Sequence, residues 1–365
     1  MLERFHVSEE EAIRVPEPKV RSATEAIFRK MGLTDEAAAL SADVLMHADI
    51  HGVDTHGVSN MLRMYVKGYN EGTLNPRPNM SIVRESAVTA TWDGDRGNGL
   101  HTAPLAMEDA INRAEKYGAG VTVLKNSGHL GAAGYHAIMA LKHDMIGVCM
   151  TGGGGFAMLP TYGAEPRFGT NPIAWAAPAR NEAPFLFDVA TTQVAANKIR
   201  LLQRMDRPIF ANWLTDAEGT PMGEQLVPEV DIRGDGRQWY MLPFGGTREN
   251  GSHKGYGFAC VVDIMCCTLS GLGPGFISGQ SGHYFAAYKI DSFTDVNKFK
   301  DDMDAFLSGL AATKPAPGHE RVFYPGLPEA ETKAERLSKG IPYHPEVIEW
   351  FKSIGSELEL DYSLT

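Results

Sequence analysis

The sequence predicts an α+β protein in which a helical layer, residues 1–74 together with 330–365, is set against a sheet-containing domain, residues 75–329. Apolar residues recur at helical spacing through most of the first 70 or so residues, as in amphipathic helices. Beyond Leu74-Asn-Pro-Arg-Pro-Asn79, where two prolines break that layer, short apolar runs bounded by glycine-rich turns read as strands. A charged helical segment near Glu329–Lys339 then returns at the C-terminal end.

Val20, Ala23, Ile27 and Met31 predict a first helix over Lys19–Met31, and Thr34 or Asp35 caps a second that runs to about His47. Asp54 or Thr55 is the expected N-cap of a third helix, Gly57–Tyr69, because a short side-chain oxygen there can accept from the free amides of the first turn. On that helix Val58, Met61, Leu62, Tyr65 and Tyr69 form an apolar face, while His56, Asn60, Arg63 and Lys67 form the opposite stripe.

Ser81–Val83 and Val88–Trp92 read as strands, and Asp93-Gly-Asp-Arg-Gly-Asn-Gly99 leads into an alanine-rich helix, Pro104–Tyr117. Its glycine order, GxxGxG, is not the dinucleotide fingerprint, and the acidic residue that fingerprint requires after a second strand is not evident. Val121–Leu124 is a strand ending in Lys125-Asn-Ser-Gly-His129-Leu-Gly131, ahead of a helix over Ala132–His143. A histidine at such a junction is placed to project into a cleft. Met145–Met150 closes on Thr151-Gly-Gly-Gly-Gly155, a run that lets backbone amides approach a ligand or that simply turns.

Ile173–Ala177 and the run from Phe185 are apolar strands, with Asp188 and Thr191 as candidate caps for a helix over Val194–Arg204. The stretch Glu224–Gly251 reads as irregular, and Ser252-His-Lys254-Gly-Tyr-Gly-Phe258 enters an apolar helix to about Leu269. Lys254 at the mouth of that helix can reach a phosphate or can be a solvated loop residue. Gly271–Gly282, with five glycines and a proline, reads as a mobile loop; Tyr284–Ile290 reads as a strand and Asp295–Leu310 as an amphipathic helix.

With 43% apolar and 22% charged residues the composition is that of an ordinary globular protein. A net charge of −11 argues against nucleic acid or an anionic membrane as the main partner. The segment Met1–Glu10 has no apolar signal core, and no run of the roughly 20 apolar residues needed to span a bilayer occurs, so a cytoplasmic protein is expected. Cys149, Cys260, Cys266 and Cys267 form no CxxC pair and are expected to be buried thiols.

The densest group of titratable residues is His47-Ala-Asp-Ile-His51-Gly-Val-Asp-Thr55-His56. His56 would sit in the first turn of its helix, where the partial positive charge favours an anion, with Arg63 two turns along the same face. Together they could hold a carboxylate. A rival chemistry is a metal-dependent hydrolase or aldolase, with His47, Asp49, His51, Asp54 and His56 as ligands, although the chain turns at Gly52 between the histidines.

Asp54-Thr-His-Gly-Val58, Asn126-Ser-Gly-His129, Gly169-Thr-Asn-Pro172, Phe187-Asp-Val-Ala-Thr191, Lys254-Gly-Tyr-Gly257 and Pro317-Gly-His-Glu with Pro325-Gly326 occur in order along the chain. With these motifs the sequence resembles the type-2 malate/L-lactate dehydrogenase family, relatives of ureidoglycolate and sulfolactate dehydrogenases and of piperideine-carboxylate reductases. The resemblance covers nearly the whole chain.

It implies a non-Rossmann, malate/L-lactate dehydrogenase-like fold with a mixed or antiparallel sheet, a homodimer, and hydride transfer between NAD, with NADP left open, and C2 of a small anionic 2-hydroxy acid. A cyclic 2-imino acid reductase and a ureidoglycolate-type dehydrogenase are the neighbouring alternatives. By this resemblance His129 is the proton acceptor, and Thr55 and His56 lie beside the substrate. Where many relatives carry arginine four residues after that histidine, this chain has Asn60; by spacing alone Arg63, three residues later on the same face, could substitute, and a different substrate is the other explanation. The cofactor is expected at the Gly152–Gly154 region, with Gly153 where some relatives have serine, and at Thr170, Asn171, Asp188, Val189, Ala190, Lys254 and Gly326. The choice of imidazole is chemically apt, because removal of the hydroxyl proton needs a base that titrates near neutrality.

Overall fold

A computed structural model describes Phe5, residues 7–227 and residues 238–364. Residues 228–237 of the stretch read as irregular lie outside the described residues.

The N-terminal layer comprises β1 (Ile13–Val15), α1 (Glu17–Lys30), α2 (Asp35–Ile50) and α3 (Val58–Asn70). Thr34 caps α2 as expected, its Oγ1 accepting from the Ala37 amide at 3.1 Å. Neither Asp54 nor Thr55 caps α3. The Val58 amide donates instead to Oδ2 of Asp49, a buried carboxylate reaching across from α2 at 3.1 Å. A Cβ on Gly57 would stand 1.7 Å from Asp49 Oδ1, so the approach needs glycine at that position.

The sheet domain follows as β2 (Ser81–Glu85), β3 (Thr89–Gly97), α4 (Gly99–Tyr117), β4 (Ala119–Ser127), α5 (Ala133–Met139), β5 (Met145–Gly153), β6 (Ile173–Ala177), β7 (Phe185–Val189) and α6 (Ala196–Arg204). A hairpin of β8 (Leu214–Asp216) and β9 (Trp239–Met241) leads to α7 (Ser252–Asp263), α8 (Gly275–Ser278), β10 (Ser281–Lys289) and α9 (Val296–Ala311). The chain ends with α10 (Leu327–Lys339), β11 (Ile341–Tyr343) and α11 (Pro345–Glu357).

Several boundaries differ from expectation for local reasons. α4 begins at Gly99 rather than Pro104 because Asn98 caps it, Oδ1 accepting from Leu100 N–H at 3.1 Å. The helix expected to continue to Leu269 gives way to a π-helical turn, Ile264–Thr268. Within the supposed mobile loop, α8 is pinned by Asp263, whose carboxylate accepts from Gly275 N–H at 3.1 Å.

Seven strands form one mixed sheet in the order β2-β3-β4-β10-β5-β6-β7. Only β3 and β4 run parallel, and the other neighbours are antiparallel. Because β10 is antiparallel to both β4 and β5, the C-terminal ends of those two strands lie at the same end of the sheet. The start of β6 and the end of β7 fall at that end too.

One apolar core joins the two chain termini: Val20, Ile27 and Phe28 of α1, Leu45 and Met46 of α2 and Leu62 and Tyr65 of α3 pack with Val347, Ile348 and Phe351 of α11. A second lies between the sheet and α4 and α5, rich in alanine so that helices approach closely. The first core is fastened by polar groups. Tyr343 Oη donates to Asp49 Oδ2 at 2.9 Å, while Arg336, 2% exposed, donates to the Asp49 carbonyl and grips the Asp54 carboxylate with both terminal nitrogens.

Removing one partner from a buried ion pair leaves the other charge stranded. Arg336→Met is therefore expected to lower the unfolding free energy by about 3 kcal/mol, measured by urea denaturation.

Burial also keeps His51, His101 and His136 neutral, with pKa values pushed down to about 4, and holds that of His47 well below its ordinary value. The unfolded chain, with histidines near 6.5, binds protons in the window between these values that the folded chain refuses, so stability falls as pH falls through it. Asp49 acts in the opposite sense, since burial raises its pKa to about 7 and favours the folded state below that pH. The histidines outnumber it, and Tm is expected to drop by several degrees between about pH 7.5 and about pH 5 by differential scanning fluorimetry.

Candidate active site

Chain reversal at β10 gathers the candidate motifs at one end of the sheet. Asn126 to His129 leave the end of β4, the glycine run extends the end of β5, Gly169 to Pro172 enter β6, and Asp188 to Ala190 leave β7. His56 reaches the same place from the turn two residues ahead of α3, not from the helix's first turn as expected, because the helix starts only at Val58.

His129 and His56 lie with nearly parallel rings, 5.8 Å between centroids at 15°. His129 Nδ1 lies 2.8 Å from Tyr65 Oη and also receives the Gly131 N–H at 3.1 Å. Tyr65 is buried on the apolar face of α3, as expected, but its hydroxyl is aimed at the candidate base. A hydroxyl can accept from Nδ1–H or donate to Nδ1, so it serves either tautomer of the imidazole. His56 Nδ1 is 2.8 Å from Thr55 Oγ1, and burial lowers its pKa to about 4, which makes it a neutral hydrogen-bonding group over the ordinary pH range.

The polar stripe of α3 splits between different surroundings. Asn60 turns inward, its Nδ2 donating to the Asp54 carbonyl at 2.8 Å. Arg63, expected to attract a carboxylate, is tied to α11: Nη1 is 2.6 Å from Glu346 Oε1, and the guanidinium lies 5.3 Å from the Trp350 ring centroid. Lys67 is exposed and faces Glu71 at 3.7 Å. Two residues of α6 went unread. Asn197 Nδ2 donates to the Thr55 carbonyl at 2.6 Å, while Arg204 pairs with Glu346 at 2.7 Å and points Nη2 at Asn60 Oδ1, 3.4 Å away. Their spacing of seven on one helix was the available signal.

The glycine run is partly strand rather than a free turn, for Gly152 and Gly153 pair with β10. Gly153 has φ 77°, and a Cβ there would meet the Gln280 carbonyl at 2.1 Å and Cys267 Sγ at 2.8 Å. A serine cannot be seated there without displacing backbone. Thr170 accepts at its carbonyl from the Thr191 N–H at 2.9 Å and the Thr191 hydroxyl at 3.1 Å. Thr191 is thus not a helix cap, and neither is Asp188, whose Oδ2 accepts from Gly134 N–H at 2.6 Å. Protein atoms crowd the Asp188 carboxyl and raise its pKa to about 6, although part of the residue is exposed.

Asn171 spans this region, Nδ2 donating to the Ala259 carbonyl at 3.1 Å, while its Oδ1 is buried without a hydrogen-bond partner among the described residues. An orphaned acceptor beside the glycine run, which offers close backbone approach, fits a ligand with an N–H donor such as a carboxamide. Val189 and Ala190 are half-buried at the same strand end. Lys254 is exposed in the first turn of α7, roughly 12 Å along the helix from Val262, which backs Gly152. Gly326 lies beside the start of β7, where a Cβ would meet the Pro184 carbonyl at 2.4 Å, so the structure sets it apart from the strand's far end.

The histidine cluster read as a rival metal site divides three ways. His51 Nδ1 bonds to the His47 carbonyl at 2.7 Å, Asp49 caps α3, and Asp54 pairs with Arg336. Among the described residues no group of three or more histidine, cysteine or acidic side chains is arranged to hold a metal ion.

A family model described as malate/L-lactate dehydrogenase matches residues 15–352. The chain is 35% identical over 362 residues to malate dehydrogenase of Pyrococcus abyssi, covering 97% of each chain. It is 33% identical over 344 residues to L-sulfolactate dehydrogenase of Methanocaldococcus jannaschii, covering 92% of this chain and 94% of that one. The solved structure of malate dehydrogenase from Pyrococcus horikoshii OT3 superposes with a TM-score of 0.87 at 32% identity, covering 98% of this chain and 99% of the other. With four of its six motifs gathered at one sheet end and likeness along nearly its full length, the chain belongs to the malate/L-lactate dehydrogenase family.

Proposed function

We propose that this chain is an NAD(P)-dependent dehydrogenase that oxidises a small 2-hydroxy acid to the 2-oxo acid, with His129 as proton acceptor. The observation that carries the reading is the His129 imidazole held by Tyr65 and stacked on His56, at the sheet end that also presents the glycine run. Nicotinamide, when bound, supplies the hydride acceptor at its C4. The protein's part is to move the proton and orient the acid.

With Nδ1 turned to Tyr65 and Gly131, the substrate hydroxyl falls to Nε2 of His129. Proton transfer to Nε2 requires the ring's own proton on Nδ1, donated to Tyr65 Oη. The Gly131 N–H favours the opposite tautomer, so the Tyr65 hydroxyl is what makes the productive one accessible. Thr55 and His56 orient the substrate as neutral hydrogen-bonding groups. Asn60 faces its carboxylate end, with Arg204 behind it and Arg63 sharing Glu346.

Gly153, Thr170, Asn171, Asp188, Val189 and Ala190 line the proposed cofactor side, while Lys254 and Gly326 contribute only from farther off. A homodimer fits the exposed apolar stripe of Phe258, Val261 and Ile264 on α7 and the turn after it, continued by Leu269 and Ile277. The free thiols at Cys149, Cys260, Cys266 and Cys267 suit a reducing, cytoplasmic setting. Among the described residues no helix is long and apolar enough to cross a membrane.

Absorbance at 340 nm with NAD and then NADP, over a panel of S- and R-2-hydroxy acids and in reverse over 2-oxo and cyclic imino acids, tests the reading directly. His129→Gln is expected to lower kcat by about 10³-fold while NADH affinity, read by fluorescence, stays nearly unchanged. Most of the turnover surviving in that variant would move the base elsewhere. Tyr65→Phe leaves the Gly131 N–H to hold Nδ1 as an acceptor and is expected to lower kcat about 10- to 100-fold with little change in KM.

A further inference from the structure

His283 is a fully buried polar residue on β10, the strand between β4 and β5. Across the sheet it is in register with Leu124 on one side and Thr151 on the other. Its Nε2 lies 3.0 Å from the Gly128 carbonyl oxygen, and its Nδ1 lies 2.8 Å from Thr151 Oγ1.

A carbonyl oxygen only accepts, so Nε2 carries the ring's proton, and Nδ1 is left to accept from the Thr151 hydroxyl. That hydroxyl's other acceptor, the Gly282 carbonyl, is more distant at 3.4 Å. The neutral tautomer is therefore dictated from both sides. The two partners are significant for their place in the chain: Gly128 immediately precedes His129, and Thr151 immediately precedes the glycine run.

We propose that His283 is a positioning residue for hydride transfer, which through the Gly128 carbonyl and the Thr151 hydroxyl fixes the His129 imidazole relative to the Gly152–Gly155 run. The inference rests on the reading of His129 as the proton acceptor. It accounts for the choice of residue, since an aliphatic side chain of similar size would leave the half-buried Gly128 carbonyl only the longer contact from Ser127 Oγ at 3.5 Å and would cut the side-chain link between the β4 loop and Thr151 of β5. A misplacement of about 1 Å between reacting groups is enough to cost about 100-fold in rate.

The test uses the full chain with the 2-hydroxy acid that the panel identifies, and measures kcat, KM, NADH affinity by fluorescence, Tm, and the deuterium isotope effect of substrate labelled at C2. His283→Leu is expected to lower kcat about 100-fold with KM and NADH affinity changed less than about 3-fold, and to raise the isotope effect as hydride transfer becomes limiting. His283→Gln, whose amide can still donate to Gly128, is expected to recover about 10-fold of that loss. Thr151→Val is expected to lower kcat about 5-fold, and combining it with His283→Leu adds nothing further, because both act on one hydrogen-bonded chain.

A folded His283→Leu variant that binds NADH and keeps kcat within about 3-fold overturns the inference, provided His129→Gln is inactive, and leaves the base assignment standing. Turnover by His129→Gln removes the base assignment and this inference with it. Should His283→Leu fail to fold, the decision passes to Thr151→Val and His283→Gln, and unchanged kcat in both overturns the inference.

Discussion

The carboxylate of Asp49 accepts the first amide of α3 from a neighbouring helix, and where it stands decides where His56 and Tyr65 stand. A helix start ordinarily satisfies its amides with a residue of its own turn. Here the acceptor is buried, half of its hydrogen-bonding capacity is unused, and it is steadied by Tyr343 and by the neighbouring grip of Arg336 on Asp54. Such an arrangement spends stability to obtain direction: the carboxylate is difficult to desolvate, but once placed it leaves α3 a single entry angle. Tyr65, two turns along, inherits that angle and meets His129.

The other half of the site depends on sheet topology. Reversal of β10 between β4 and β5 sends both neighbouring strands toward the same end, so the His129 loop and the glycine run face one another across a single strand's width. Small residues then allow backbone to pass close to backbone. The π-helical turn after α7 packs behind Gly153, its Cys267 sulfur occupying the space that a larger residue at 153 would claim. The rigidity of the run thus comes from crowding on its inner side, while Gly155 remains open.

Much of this was legible locally. Thr34 and Asp295 cap the helices they precede because such caps act within three residues. The extent of α3 follows from its periodicity, but its true cap lies nine residues from Val58, and by sequence it is one of two aspartates among the candidate metal ligands. Arg63 was placed on the correct helical face, yet spacing along a helix says nothing about Glu346, 283 residues away, which claims it. Tyr65 read as core, which it is, and only the fold reveals that its hydroxyl leaves the core. Asp188 and Thr191 had the chemistry of caps but turned to Gly134 and Thr170 across the sheet. His129 is legible as a histidine at a strand-to-helix junction, and its proposed role as a base rests on the ordered motifs rather than on spacing. α11 falls within the 330–365 segment assigned to the helical layer, though its bounds are not evident by sequence, and the pair β1–β11 is not legible because each three-residue strand has its partner at the opposite end of the chain.

The pairing of the two termini has a consequence for the order in which the protein comes into being. Asp49 must meet Arg336 and Tyr343, 287 and 294 residues later in the chain. Contacts of such span form late, after the long intervening chain has been gathered. On the ribosome α1 to α3 emerge well before the α11 residues that cover their apolar faces, and wait for them. A chain interrupted before Arg336 and Tyr343 can hold a finished sheet and still lack the anchor that aims α3 at His129, so the strand end and the helix facing it are completed separately.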